Sequence, residues 1–374
     1  MPDKYKYLSL CSGAGGLDLG FELGGFEHFF SMDIEEFAVN TLRLNRPNWN
    51  VEIADLREFS INTSISPDIL LAGVPCQGFS LGGNRVETDP RNQLYANVIR
   101  IAQESHPRVI VIENVLNLRT MKCPISNKPF AQQISDELEQ IGYRVYFDIF
   151  KMCHFGVPQT RRRFVFVAFL ERAPLGYHLP LPDSHEATIR NFLYDLSNDD
   201  SSHSDIPNHN PMCGFKSAVH IETNFPCNQD EEVVPVRFSR TASDGNPVRS
   251  FDNPFPAVDT ATVWGWAQGN VVAKRKAKDR INGKYIRNPN ASVTLWRISA
   301  SRLRTFTHRE YARLQTFPDN WVFVGCNKRE IHKQIGNAVP VEFAYRLAQN
   351  ILRALKCLDK NCNFSDRPRQ LSLF

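Results

Sequence analysis

Residues 5–33 read YKYLSLCSGAGGLDLGFELGGFEHFFSMD, and this stretch decides the fold. The apolar run at 5–10 is short enough for a strand and leads into Ser12-Gly13-Ala14-Gly15-Gly16. A helical pattern over 17–23 is stopped by Gly24 and Gly25, and a second apolar run at 29–32 ends at Asp33. Strand, Gly-rich turn, helix and strand open a βαβ unit. In such a turn, backbone N–H groups and a helix N-terminus face a ligand. Asp33 stands where a carboxylate accepts hydrogen bonds from ribose hydroxyls. The turn alone fits a nucleoside cofactor, an oxidoreductase dinucleotide or a plain tight bend.

Outward from this unit the alternation continues. A helix is predicted at 37–44 and closed by Pro47, short buried runs lie at 69–72 and 109–112, a helix at 130–141 ends at Gly142, and strands follow at 145–150 and 164–169. The expected class is α/β, a doubly wound, mostly parallel, Rossmann-like sheet. Past 174 the regularity fails, and no helix can be drawn before 307. At 374 residues the chain exceeds the size of one core. A first sheet domain over 1–175 is therefore expected, then a smaller loop-rich domain over 176–320. A return over 321–374 would carry a closing helix at 340–355.

Nine scattered cysteines form no CxxC pair, so reduced thiols and no structural metal are expected. The start of the chain carries no signal architecture, and no run reaches the ~20 apolar residues of a membrane span, which predicts a cytoplasmic protein. Charge is segregated. Residues 180–260 hold five Lys or Arg against thirteen Asp or Glu, whereas 274–313 hold twelve against two. Tyr285, Trp296 and Phe306 interleave with the second set, as on a surface tracking phosphates, although a solvated basic face has the same composition.

Two further segments carry chemistry. Gly73-Val74-Pro75-Cys76-Gln77-Gly78-Phe79-Ser80 follows the buried run 69–72, where doubly wound sheets place their ligand chemistry. Its cysteine is either a nucleophile or a buried, inert thiol. Glu113, in Glu113-Asn114-Val115, follows four apolar residues, so it is expected to be desolvated, as a proton donor or as a paired structural carboxylate.

Taken together, SGAGG at Ser12, PCQGFS at Pro75, ENV at Glu113, QTRRRF at Gln159, RTFTHREYARLQTFP at Arg304 and QIGNAVP at Gln334 resemble the ordered blocks of bacterial DNA (cytosine-5) methyltransferases along essentially the whole chain. The resemblance implies S-adenosylmethionine as cofactor, duplex DNA as substrate, a monomer, and a restriction endonuclease acting on the same site. It implies a cofactor pocket of Cys11, Gly13, Ala14, Gly15, Gly16, Asp33, Ile34, Asp55, Leu56, Pro75, Leu94, Asn337 and Ala338. It makes Cys76 the nucleophile, with Glu113 on the base edge and Arg161 and Arg163 reaching DNA and base. Gln77, Ser80, Gln159, Arg275, Lys276 and Arg304 are the expected DNA contacts, and 176–320 the target-recognition domain.

This chain departs from the pattern at Cys11, where many members carry Phe, at Asp33 in place of Glu, and at Phe306 in place of Leu or Ile. Transfer RNA as substrate, a catalytically silent DNA-binding protein and a nicotinamide oxidoreductase are the alternatives. The last does not account for PCQ, ENV and the closing GN block.

If the basic run touches phosphates, neutralising Arg275 and Lys276 together should reduce the slope of log affinity against log salt by about 1.8, at ~0.9 per contact. DNA binding titrated across ionic strengths reads this. An unchanged slope returns the run to a solvated face.

Overall fold

The computed structural model describes residues 4–61, 66–74, 94–123, 126–197, 206–208, 219–223, 233–237, 250–260, 263–276, 278–281, 284–287 and 294–364. In chain order the first part comprises β1 (Lys6–Leu10), α1 (Gly16–Leu23), β2 (Glu27–Asp33), α2 (Glu36–Asn45), β3 (Val51–Ile53), β4 (Ile69–Ala72), α3 (Leu94–Ser105), β5 (Val109–Val115), α4 (Phe130–Gln140), β6 (Tyr143–Lys151) and β7 (Arg162–Leu170). These strands form one seven-stranded sheet in the order β3-β2-β1-β4-β5-β7-β6. All run parallel except β7, which is antiparallel to both neighbours.

Both faces of the sheet are covered, which is why its central strands read as unbroken apolar runs. Leu70, Ile110, Ile112 and Phe166 enter one core with Val98 and Ile101 of α3 and Ile134 and Leu138 of α4. Ile69, Leu71, Val109, Val111 and Val167 enter the other with Leu17 and Phe21 of α1. Alternate residues of β4 thus serve opposite faces. β5 continues past the expected 109–112, so Glu113 lies within the strand. α3 was not anticipated, although its buried Val98, Ile101, Ala102 and Ser105 have helical spacing.

The second part holds α5 (Arg190–Leu193), β8 (Val219–Thr223), β9 (Val233–Arg237), β10 (Trp264–Lys276), β11 (Lys278–Ile281), β12 (Lys284–Arg287), β13 (Thr294–Thr305), α6 (His308–Leu314), α7 (Lys328–Asn337) and α8 (Val341–Asp359). A four-stranded antiparallel sheet, β8-β13-β10-β9, and the hairpin β11-β12 stand where the sequence had suggested loops. Phe251, Phe255, Trp264, Trp266 and Phe306 share a core with Leu19, Val39 and Leu42 of the first part. Asn327 caps α7 by accepting from the backbone N–H groups of Arg329 and Glu330. Among the described residues no helix is long and apolar enough to cross a membrane.

α8 returns the chain to the first sheet. Phe343, Leu347 and Ile351 fill the core beside α1, each such side chain contributing about 1.5–3 kcal/mol. The approach is close because α1 presents glycine: a Cβ on Gly20 would lie 2.3 Å from Ala344 Cβ, and one on Gly24 2.5 Å from Ala348 Cβ.

Gly20→Ala is therefore expected to push the two helices apart and destabilise the protein by about 1–3 kcal/mol. Denaturant unfolding measures the loss, and Ala344→Gly in the same chain should recover part of it. Wild-type stability in Gly20→Ala would mean that the helices do not pack this closely.

Candidate active site at the carboxyl edge of the sheet

The parallel strands β1 to β5 all end on one edge, and β7, reversed, begins there. The Gly-rich turn leaves β1 at this edge with Cys11 at φ 54°, Gly13 at φ 55° and Gly15 at φ 83°. A Cβ on Gly13 would meet nothing within 4 Å, whereas one on Gly16 would fall 2.0 Å from the carbonyl oxygen of Val339. The turn is thus open on one side and seated on the Asn337-Ala338-Val339 segment on the other. Asp33, 8% exposed at the end of β2, accepts from the N–H of Gly13 and of Glu35, both at 2.8 Å. Burial pushes its pKa up, opposed by those two bonds.

These features suit a nucleoside ligand. Ile34, next to Asp33, is 60% exposed and offers an apolar surface at the strand end. Ala54 N–H donates to the Asp33 carbonyl at 3.1 Å, which brings Asp55 alongside. The Asp55 carboxylate is held by Arg57, from the backbone N–H and Nε, and this keeps its pKa down at about 2. Arg57 is exposed, so it can swing aside for a ligand amine. Leu94 begins α3 half-buried, Asn337 is exposed, and Leu56, Ala14 and Ala338 are packed in the core.

Glu113, 8% exposed, and Arg163 project from adjacent strands, with Arg163 Nε 2.7 Å from Glu113 Oε1. The contact is a charge pair rather than an aligned hydrogen bond, and Oε1 has no hydrogen-bond donor among the described residues. Burial pushes the Arg163 pKa down, and Glu113 opposes the shift. The register is β5 to β7, with Glu113 opposite Val165 and Val115 opposite Arg163.

Three expected DNA-facing side chains have partners inside the protein. Gln159 is fully buried, donating to the Leu314 carbonyl at 2.7 Å and accepting from Val258 N–H at 3.1 Å. Arg304, 2% exposed, is paired with Glu310 at 2.8 Å. Arg161, also 2% exposed, donates to backbone carbonyls. In this structure Gln159 and Arg304 brace the protein's own interior, their polar side-chain atoms bonded to groups of the chain itself. Pro75, Cys76, Gln77 and Ser80 lie outside the described residues, as do the side chains of Arg275 and Lys276 in β10.

A buried polar network that the sequence reading missed lies under the turn. Asp18, on α1, is fully buried and accepts from Ser9 Oγ at 3.1 Å and Ser31 Oγ at 2.6 Å. Ser12 Oγ, in the turn itself, donates to Ser9 Oγ at 2.9 Å. A carboxylate flanked by Leu17 and Leu19 was the available signal. Elsewhere Cys153, His154 and Glu186 have ligand atoms within 4.8 Å of one another, but the Lys151 ammonium already contacts Glu186 and burial pushes the Cys153 thiol up to about 11.

A seven-stranded sheet with one reversed strand and a Gly-rich turn after β1 is the fold of S-adenosylmethionine-dependent methyltransferases. The model of the C-5 cytosine-specific DNA methylase family matches residues 5–353, and the chain belongs to that family. It is 30% identical to the type II methyltransferase M.NgoMIV of Neisseria gonorrhoeae, over 94% of this chain and 99% of that one. Identity to the type II methyltransferase M1.HphI of Haemophilus parahaemolyticus is 31%, over 93% and 86%. Among solved structures, DNMT2 of Spodoptera frugiperda has a TM-score of 0.59 at 14% identity, covering 93% of this chain and 100% of that one. The methyltransferase EhMeth of Entamoeba histolytica has a TM-score of 0.58 at 18% identity, covering 94% and 99%.

Burial pushes the Asp18 carboxyl up to about 6 from 3.8, against the hydrogen bonds of Ser31 and Ser9. The folded state then binds this proton more tightly than the unfolded chain. The resulting stability is present below pH ~4 and lost as pH rises through about 6. Relative to Asp18→Asn, the wild type should lose about 1.5 kcal/mol between pH 5 and pH 8. Parallel unfolding curves of the two proteins measure the difference, and a gap constant over that range would contradict it.

Proposed function

We propose that this chain transfers the methyl group of S-adenosylmethionine to carbon 5 of a cytosine flipped out of a specific duplex DNA sequence, with Cys76 as covalent nucleophile. The carrying observation is the Glu113–Arg163 pair, 2.7 Å apart on the edge where the Gly-rich turn opens. S-adenosylmethionine, when bound, supplies an electrophilic methyl on a sulfonium. Gly13, Gly15 and Gly16 would cradle its methionine part, Asp33 its ribose, and Ile34 with Asp55 its adenine.

Carbon 5 of cytosine is a poor nucleophile, so a thiolate must first add at carbon 6. Cys76 follows the end of β4 by four residues, a reach of at most about 14 Å. β4 lies between β1 and β5, so the chain leaves it between the turn and Glu113. Arg163 supplies a cation that favours the Cys76 thiolate over a thiol of pKa about 8.5. As density moves onto the ring, Glu113, having taken up a proton from solvent as the base enters, gives it to N3 while the guanidinium assists at O2. Once carbon 5 has taken the methyl from the sulfonium, a base removes the C5 proton and the Cys76–C6 bond breaks, restoring the thiolate. The carboxylate of Glu113, 8% exposed and held by Arg163 through Oε1, supports this role, since it is fixed at the strand end where a base edge would arrive.

This geometry is inaccessible inside a stacked duplex, which requires the base to leave the helix. Residues 176–320 would bind the major groove, with Gln, Arg and Asn side chains of 264–304 reading bases and the basic run neutralising phosphates. As a protective methyltransferase it would act in the cytoplasm as a monomer, beside a restriction endonuclease specific for the same sequence.

Cys76→Ser is expected to abolish methyl transfer and trapping by 5-fluorocytosine DNA while leaving DNA binding intact, because an alkoxide is not available at neutral pH. Glu113→Gln should lower turnover by about 10²–10³ while still forming some adduct. Cross-linking of Cys76→Ser to the trap, or near wild-type methylation by it, would show that another residue is the nucleophile.

A further inference from the structure

Arg161 immediately precedes the reversed strand β7 and is only 2% exposed. Its Nη1 donates to the carbonyl of Gly336 at 2.7 Å and to that of Val258 at 3.0 Å, and Nη2 reaches Asn337 O at 3.4 Å. Gly336 and Asn337 are the last residues of α7, where backbone carbonyls have no partner within the helix. α7 carries no basic residue in its last turn, so a cation from 175 residues away along the chain supplies the positive charge that a helix C-terminus favours.

The joint is tight on its other side too. A Cβ on Gly336 would lie 2.7 Å from the carbonyl oxygen of Asp259. Three residues on, Val339 O is the atom that seats Gly16 in the cofactor turn. Two residues from Arg161, Arg163 meets Glu113. Arg161 therefore ties the start of the base-binding strand to the segment supporting the cofactor turn. Its Nε is buried with no hydrogen-bond partner among the described residues, an unsatisfied group that calls for an explanation beyond packing.

We propose that Arg161 is a positioning residue that caps α7 from the reversed strand and so fixes the cofactor-binding segment, Asn337 to Val339, against the Glu113–Arg163 pair. It acts through backbone carbonyls and touches neither DNA nor cofactor. This rests on the reading that the turn binds S-adenosylmethionine.

The test uses the full chain and compares Arg161→Lys with Arg304→Lys, which also disturbs a buried arginine bonded to the protein's own interior. A lysine keeps the charge but cannot bridge several carbonyls. Both variants should lose thermal stability. Only Arg161→Lys should weaken S-adenosylmethionine binding, by about 10-fold in calorimetry, as expected for losing a charge-assisted bond that orders a site. Its kcat on long unmethylated duplex DNA should fall as well. Gly336→Ala, which forces the same joint from the Asp259 side, should reproduce the loss of affinity and decides the matter if Arg161→Lys fails to fold.

Wild-type affinity in Arg161→Lys, or in Gly336→Ala where the lysine variant is unfolded, overturns the proposal. An equal loss of affinity in Arg304→Lys overturns it too. Failure of the wild-type protein to bind S-adenosylmethionine would instead remove the functional reading beneath it.

Discussion

Strand β7 runs against its neighbours, and the ion pair between Glu113 and Arg163 depends on that reversal. In a parallel sheet, strands begin at one edge and end at the other, so the residues opening a strand are a sheet's width from those closing its neighbour. Reversal brings the opening of β7 to the closing end of β5, with Arg163 opposite Val115. Glu113 is thereby desolvated and given a cation without either residue needing a loop to carry it. The same reversal delivers Arg161 to the end of α7.

The rest of the edge is arranged around that placement by close backbone approach. Glycine is required where Gly16 meets Val339 O, where Gly336 meets the Asp259 carbonyl and where Gly20 meets Ala344. The first and third join the N-terminal segment to the residues around the start of α8, and the second joins Asp259, ahead of β10, to the end of α7. The Gly-rich turn and α1 therefore sit directly on residues 339–345, and side chains as large as alanine would push the two apart. Beneath the turn, Asp18 holds the hydroxyls of Ser9 and Ser31 at the cost of burying a carboxylate.

Much of the sheet was legible because burial on both faces writes itself as uninterrupted apolar residues: β4 spans the expected 69–72. The places of Gly13, Asp33 and Glu113 at the carboxyl edge of the sheet could be read because a glycine-rich turn and lone carboxylates stand out after apolar runs. The antiparallel sheet β8-β13-β10-β9 could not, since β10 carries register shifts at Gln268/Gly269 and Val272/Lys274 that break the two-residue alternation. The interior partners of Gln159 and Arg304 were not legible for a different reason. Sequence shows a polar side chain but not a carbonyl 155 residues away that satisfies it, as Leu314 does for Gln159. Asp18 escaped because one carboxylate barely disturbs an apolar helical pattern.

The account stands or falls on the product. Methyl-labelled S-adenosylmethionine incubated with the protein and unmethylated duplex DNA, followed by digestion to nucleosides and mass spectrometry, identifies the atom that receives the label. The account predicts label in 5-methyl-2′-deoxycytidine alone. Label on the exocyclic nitrogen of cytosine or adenine, or in transfer RNA with none in DNA, would contradict it.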